Sequence, residues 1–359
     1  MASLTINPPL LNSANPWCTT LGQLQELYNS PHTGAITTRT SLISGFPHDP
    51  NHHQFTFFNP STHASSTPNK DLAGDSSTTG SLNTLGYSPL PLSTYLTFVQ
   101  TISDNLDDDA PPPHGRKTHK PIIISVTGSA KEIAQCYHAI RELGQTVKMR
   151  LAMEINLSCP NIPGKTPPAY DFATLAAYLE ALKTEIDIGL IKMGGQPEEE
   201  RVAIGIKVPP YTYQEQFDGL VGVLEESVRM RPVYLACPVS FVTAVNTLGS
   251  SLLLAPLDKG DGGGGVRATL KSANGSGLGG LAGAPLHPLA LGNVYAIRTL
   301  LDKHEGLKEI MIIGTGGVED QAGLERMKSV GAGAVGVGTA LGRKGVDIFG
   351  EITQGKTDH

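Results

Sequence analysis

The stretch Met153-Glu-Ile-Asn-Leu-Ser-Cys-Pro-Asn161, continuing through Ile162-Pro-Gly-Lys165, decides how the chain is read. It opens as a buried strand, with Leu151, Met153 and Ile155 alternating with smaller or polar neighbours. It closes as a loop, because Pro160, Pro163 and Gly164 cannot continue a strand ladder. The seam holds Asn156, Ser158, Cys159 and Asn161. Polar groups at the carboxyl end of a barrel strand are where such folds place chemistry. The bland alternative is a strand end with satisfied amides and an inert thiol, since a free Cys is usually buried and unreactive.

Outward from this stretch, apolar strands alternate with amphipathic helices. Pro121-Ile-Ile-Ile-Ser-Val126 is an almost continuous apolar run, as in a parallel strand covered on both faces. Further strands are expected at Pro8–Asn12, Gly34–Arg39, Val202–Val208, Phe241–Thr247, Ile310–Ile313 and Ala334–Gly338. Helices are expected from a Thr19 or Thr20 cap through Leu27, after Pro91 through Val99, and at 130–143, 172–186, 214–229, 288–301 and 321–330. About eight strands, each usually followed by a helix, is the pattern of a (β/α)8 TIM barrel, an α/β fold. An open doubly wound sheet fits less well, because the polar strand ends are spread along the chain and not gathered at one switch point. Residues 1–359 are expected to form one domain, with surface insertions at 59–80, 104–120, 187–202 and 258–275. Residues 45–81, rich in His, Ser, Thr, Asn and Pro, read as an insertion or a loop that orders on demand; 260–283 reads as a glycine-rich excursion.

Composition narrows the function. A net charge of −6 with no run of five basic residues argues against a nucleic-acid surface. No apolar stretch reaches the roughly 18 residues of a membrane span, and the N-terminus lacks the pattern of a secretory signal. Cys18, Cys136, Cys159 and Cys237 are widely separated, which disfavours structural zinc and a disulfide framework and fits a reducing cytoplasm.

The candidate chemistry sits at strand ends. Gly316-Gly317 and Gly338-Thr339 follow the last two strands, where barrels commonly bind phosphate through backbone N–H groups. Read blandly, these are ordinary strand–helix turns. Lys207 ends a strand; a fixed cation there suits a flavin, whose N1 and O2 gain negative charge on reduction. The alternative is a surface lysine, which Ile204 and Ile206 oppose by pulling the strand inward. Asn83, Asn156 and Asn246 each end a β-like segment, and three converging amides would hold a small planar molecule with carbonyls, N–H groups and a carboxylate. Each alone is more often a turn residue. Arg39 is a further strand-end cation, although a lone Arg is usually solvated. Cys159 is the candidate base beside these amides, with Ser158 its competitor. No histidine pair has metal-ligand spacing.

The run from Asn156 to Lys165 resembles the NLSCPN signature of dihydroorotate dehydrogenases, specifically class 1A, in which a Cys is the base. Gly205-Ile-Lys207-Val-Pro-Pro-Tyr211, Val245-Asn246-Thr247, Gly277-Leu-Gly-Gly280, Gly314–Val318 and Gly336–Leu341 are similar to further motifs of that class, as is Ser81-Leu-Asn83-Thr-Leu-Gly86. The resemblance spans nearly the whole chain and implies an FMN barrel that oxidises dihydroorotate to orotate in pyrimidine biosynthesis. By that resemblance Cys159 takes the C5 proton while hydride passes from C6 to flavin N5. Asn83, Leu85, Gly86, Asn156, Asn161, Asn246, Thr247 and Arg39 would hold the substrate; Arg39, Asn156, Lys207, Gly280, Gly316, Gly317, Gly338 and Thr339 would hold FMN. The class is a cytosolic homodimer that reoxidises its flavin with fumarate. Two departures stand out: Thr38-Arg39-Thr40 replaces the family's Thr-Lys-Ser, and Ser88-Pro89 replaces its Pro-Asn. They keep open a related FMN oxidoreductase acting on another small cyclic substrate, or a flavin-binding paralogue with little dihydroorotate activity.

Overall fold

The computed structural model describes residues 2–70, 76–107, 119–158, 167–192, 201–257 and 265–355. The N-terminal half contains β1 (Leu10–Asn12), α1 (Leu21–Asn29), β2 (Ile36–Thr37), β3 (Phe55–Phe58), β4 (Gly80–Asn83), α2 (Leu92–Asp104), β5 (His119–Val126), α3 (Ala130–Gly144), β6 (Met149–Asn156) and α4 (Phe172–Lys192). It continues with β7 (Ala203–Val208), α5 (Gln214–Arg229), β8 (Val239–Ala244), β9 (Leu248–Ser251), β10 (Leu254–Pro256), β11 (Val266–Ala268) and β12 (Gly279–Gly283). The last part holds α6 (His287–Leu301), β13 (Met311–Thr315), α7 (Gln321–Ser329), β14 (Ala334–Val337), α8 (Thr339–Lys344) and α9 (Ile348–Gln354).

Eight strands lie side by side in the order β1-β14-β13-β8-β7-β6-β5-β2, and every neighbouring pair is parallel. The seam between β1 and β2 is bridged by a side chain. Asn12 Nδ2 donates to Thr37 O at 2.6 Å, and Asn12 Oδ1 accepts from Thr37 N at 2.9 Å. An amide side chain offers one donor group and one acceptor, as a peptide does, so it substitutes for a rung of the ladder. The expected (β/α)8 barrel is therefore present.

Side-chain alternation sorts the strands into an outward and an inward face. Leu151, Met153 and Ile155 join the large core beneath the helices, together with Ile122, Ile124, Val126, Ile204 and Ile206. The opposite face points into the barrel, where Leu11, Ile123, Ala152, Ala203, Phe241, Ile313 and Ala334 form a separate apolar cluster. Two residues further along each strand the inward positions are Ser13, Ser125, Glu154, Gly205, Thr243, Thr315 and Gly336. The helices are placed by local signals: Thr20 with Gln23 and Ser129 with Glu132 form the capping boxes of α1 and α3.

Three stretches differ from the sequence expectation. Residues 45–81 contain β3, which pairs with β4 in an antiparallel sheet of order β3-β4-β12-β9. Its Phe57 stacks on Trp17 with ring centroids 5.6 Å apart, a contact distant in sequence that orders a polar-looking segment. The glycine-rich excursion hides β12, because glycine is weak in strands by propensity. Here it serves close approach: a Cβ at Gly280 would lie 2.1 Å from Thr247 Oγ1. At the edges of the expected insertions, β5 begins at His119, α4 runs on to Lys192 and β11 pairs with β10.

Candidate active site

The carboxyl ends of the barrel strands and the β3-β4-β12-β9 sheet enclose one pocket, with ≈ 1040 Å³ of empty space including its mouth. Its walls come from the turn after β1 (Ser13 to Trp17), from the ends of β2, β6, β7, β8 and β13, and from Gly338-Thr339 after β14. The antiparallel sheet adds Phe55, Ser81, Asn83, Ala282 and Gly283.

Of the residues singled out from sequence, Arg39, Asn83, Leu85, Gly86, Asn156, Lys207, Asn246, Thr247, Gly316, Gly317, Gly338 and Thr339 all line this pocket. Gly280 does not. It sits in β12 opposite Asn83, where its missing side chain makes room for Thr247 and for the Asn83 amide. Cys159 and Asn161 lie outside the described residues, which stop at Ser158 on this side of the pocket.

The amides form a connected group. Asn246 Nδ2 donates to Asn156 Oδ1 at 3.1 Å and to Ser158 Oγ at 2.9 Å. Asn156 Oδ1 also accepts from Ser158 N at 3.1 Å, and Asn156 Nδ2 donates to Thr40 Oγ1 at 3.1 Å. Asn83 Nδ2 donates to Gly280 O at 3.2 Å across the overlying sheet. Ser158, the competitor for the base, is buried and engaged with these amides.

Two cations line the pocket, one from β7 and one from just after β2. Lys207 is 3% exposed, so it is no snorkelling surface lysine; its Nζ donates to Ser13 Oγ at 3.0 Å and to Ala14 O at 3.4 Å. Arg39 Nη2 donates to Tyr87 O at 3.3 Å and to Gly86 O at 3.5 Å, while Nη1 donates to Thr19 Oγ1 at 3.4 Å, so the two prongs of its guanidinium fork join the loop after β4 to the turn before α1. A lysine has no such fork, which makes the exchange at this position chemically substantial. Ser88 is fully buried and shares a 2.8 Å hydrogen bond with the Tyr95 hydroxyl, so it faces α2. Cys18 lies near both cations, yet burial pushes its thiol up to about 12, which removes it as a base near neutral pH.

The glycines form a cradle. Gly316 and Gly317 have φ of +141° and +69°, and a Cβ at Gly317 would stand 2.7 Å from Gly283 O. Around a Cβ at Gly338 there is nothing within 4 Å, so that spot is open. The loop is held from behind by His287, whose ring bonds Gly316 O at 2.7 Å through Nδ1 and accepts from Arg326 Nε at 3.0 Å through Nε2. Thr315 lines the same pocket, and its buried hydroxyl, packed beside Gly336, has no hydrogen-bond partner among the described residues. A buried cation, an open glycine cradle and an orphan hydroxyl together suit a phosphorylated, electron-rich ring system.

A family model described as dihydroorotate dehydrogenase matches residues 73–358. The chain belongs to the dihydroorotate dehydrogenase family. That family is one of flavin-dependent oxidoreductases. A probable dihydroorotate dehydrogenase A (fumarate) of Streptococcus pneumoniae is 28% identical over 346 residues, covering 96% of this chain and 86% of the relative. A dihydroorotate dehydrogenase (fumarate) of Trypanosoma brucei brucei is 30% identical over 279 residues, covering 77% of this chain and 72% of the relative. Among solved structures, DHODH of Eimeria tenella in complex with ferulenol shares the fold at a TM-score of 0.65 and 15% identity, covering 96% of this chain and 79% of that one. Among the described residues no helix is long and apolar enough to cross a membrane.

Within this dihydroorotate dehydrogenase family member, sequence reading missed several walls of the pocket. Trp17 and Phe55 carry no motif; the period-two pattern of Phe55 and Phe57 was the available signal. His287 precedes Pro288 at the start of α6, and nothing local marks it as the support of a loop after β13.

Proposed function

We propose that the protein is a dihydroorotate dehydrogenase of the fumarate-using type, a cytoplasmic homodimer built on one FMN-binding barrel domain. It oxidises dihydroorotate to orotate in pyrimidine biosynthesis and passes the electrons on to fumarate. The carrying observation is that Lys207, the Asn156–Asn246 pair and the glycine cradle share one pocket. Gly316, Gly317, Gly338 and Thr339 hold the phosphate of FMN, and Lys207 holds the ring. FMN, when bound, supplies the hydride acceptor. Asn83, Asn156, Asn246, Thr247 and Asn161 hold the substrate's amides and carboxylate, with Leu85 and Gly86 beside it in the pocket wall. Cys159, the residue after Ser158 in the sequence, removes the C5 proton; with hydride departing from C6, the ring gains its double bond. Arg39 supplies positive charge facing the substrate end.

Anaerobic mixing of the yellow protein with dihydroorotate tests the reading. Bleaching of the flavin bands is expected, and Cys159→Ala is expected to slow it by orders of magnitude. A flavin that stays oxidised sinks the substrate assignment.

One observation favours a second reading. Arg39 is committed to the carbonyls of Gly86 and Tyr87, and Ser88 faces α2. The substrate end is thereby remodelled, as a related FMN oxidoreductase acting on another small cyclic compound would require. Bleaching by such a compound, and not by dihydroorotate, would select it.

A further inference from the structure

Beneath the pocket floor lies a carboxylate that the proposed chemistry does not use. Glu154 is 2% exposed and points into the barrel from β6. It does not line the pocket, and no salt bridge to it appears among the described residues. Instead each oxygen accepts from a hydroxyl: Ser125 Oγ reaches Oε1 at 3.0 Å and Thr243 Oγ1 reaches Oε2 at 2.6 Å. Ser125 Oγ lies 2.9 Å from Thr40 Oγ1, and Thr40 Oγ1 lies 3.1 Å from Asn156 Nδ2. An unbroken string thus runs Asn156–Thr40–Ser125–Glu154.

Its direction is set at both ends. At the top, the backbone N–H of Ser158 donates to Asn156 Oδ1 at 3.1 Å. A backbone N–H cannot turn into an acceptor, so Oδ1 must face it and Nδ2 must face Thr40. Thr40 then accepts, and has to pass its own hydrogen onward to Ser125. Ser125 in turn needs an acceptor below it. A carboxylate accepts only, so it is the terminus such a string requires. An apolar residue at position 154 would leave a buried hydroxyl hydrogen without an acceptor, and the strain would travel up to Asn156.

We propose that Glu154 is a positioning residue: as terminal acceptor of this string it holds the Asn156 amide in the orientation that presents it to the substrate. This rests on the reading that Asn156 binds the substrate. It also accounts for a glutamate inside a barrel, where a buried polar group is costly unless it is hydrogen-bonded, as both of its oxygens are.

The test uses FMN-loaded protein, with orotate binding read from its perturbation of the flavin spectrum and FMN affinity read from fluorescence. Ser125→Ala and Glu154→Met cut the string outside the pocket, and each is expected to weaken orotate binding about tenfold and FMN affinity, to which Asn156 is one of several contributors, by no more than about threefold. Glu154→Gln can turn its oxygen to Ser125 and its NH₂ to Thr243, and is expected to retain orotate affinity within about threefold. Thr243→Val strips the other carboxylate oxygen and leaves the string whole, so the loss seen in Ser125→Ala should be absent. The proposal is overturned if Gln is as damaging as Met, since charge and not acceptance would then matter. It is overturned equally if FMN and orotate affinities fall together, or if Ser125→Ala has no effect. Should Glu154→Met fail to fold, Ser125→Ala decides.

Should the unaltered protein not bind orotate, the functional reading fails, and the string is judged without ligand. One side-chain amide hydrogen of Asn156, assigned by its loss in Asn156→Asp, is expected to exchange slowly with solvent and to exchange faster in Ser125→Ala. Equal exchange in both proteins overturns the string.

Discussion

The barrel interior carries two chemistries along the same strands, one residue pair apart. At the lower level Leu11, Ile123, Ala152, Ala203, Phe241, Ile313 and Ala334 fill the space with hydrocarbon. One inward position higher on the same strands stand Ser13, Ser125, Glu154, Gly205, Thr243, Thr315 and Gly336. The next inward positions include Arg39, Asn156, Lys207, Gly317 and Gly338, all in the pocket wall. The lower layer is held by packing, which is local and tolerant of polarity elsewhere. The upper layers are held by hydrogen bonds that must all be satisfied together. The contrast teaches that one backbone can divide its strands into a plug and a site, provided the polar half is internally complete.

The sharpest way to break that division is from below. Phe241 is fully buried, and its ring occupies the space beside Gly205. Phe241→Ala is expected to cost about 3–5 kcal/mol in denaturant unfolding, while the folded fraction keeps its flavin affinity. An equal loss of flavin affinity would show that plug and site are not separable.

From above, Lys207→Met removes the buried cation and leaves the Ser13 hydroxyl and Ala14 carbonyl without their donor. Flavin affinity is expected to fall by about 2 kcal/mol, roughly thirtyfold, as hydrogen bonds to charged groups are worth about 1.5–3 kcal/mol. The melting temperature should move less than for Phe241→Ala. A fluorescence titration beside a thermal melt checks both.

The smallest effect concerns thiols. Burial raises Cys18 and Cys136 from an ordinary 9.0 to about 12, so in the unfolded chain they ionise first. Their folded-state preference for the neutral thiol is therefore present below pH 9 and is lost as pH rises from 9 toward 12. Unfolding free energy should decline across that window, and iodoacetamide at neutral pH should leave Cys18, Cys136 and Cys237 unmodified, all three being buried. Rapid alkylation of Cys18 would contradict its placement.

Most of the barrel was legible because its signals are local. Ile122, Ile124, Met153, Ile155, Ile204 and Ile206 mark strands by their own apolarity, and Thr20 and Ser129 cap helices with partners three residues away. The pocket wall was legible where polar residues recur at several strand ends, as with Lys207, Asn156 and Asn246, which the structure brings to one pocket. Illegible were contacts whose two halves lie far apart in the chain. Trp17 stacks on Phe57, Asn12 bridges the seam to Thr37, and His287 props Gly316.

By itself, then, the sequence determined the alternation of strands and helices and which strand ends carry amides, cations and glycines. These follow from periodicity and side-chain chemistry, which each segment expresses alone. Only the tertiary structure decided that β3 and β12 join one sheet over the mouth, that Arg39 in the pocket wall also bonds the loop after β4, and that Glu154 lies beneath Asn156 at the end of a hydrogen-bonded string. Those outcomes depend on which lone pairs and rings meet across the barrel, and no local propensity encodes a meeting between residues tens to hundreds of positions apart.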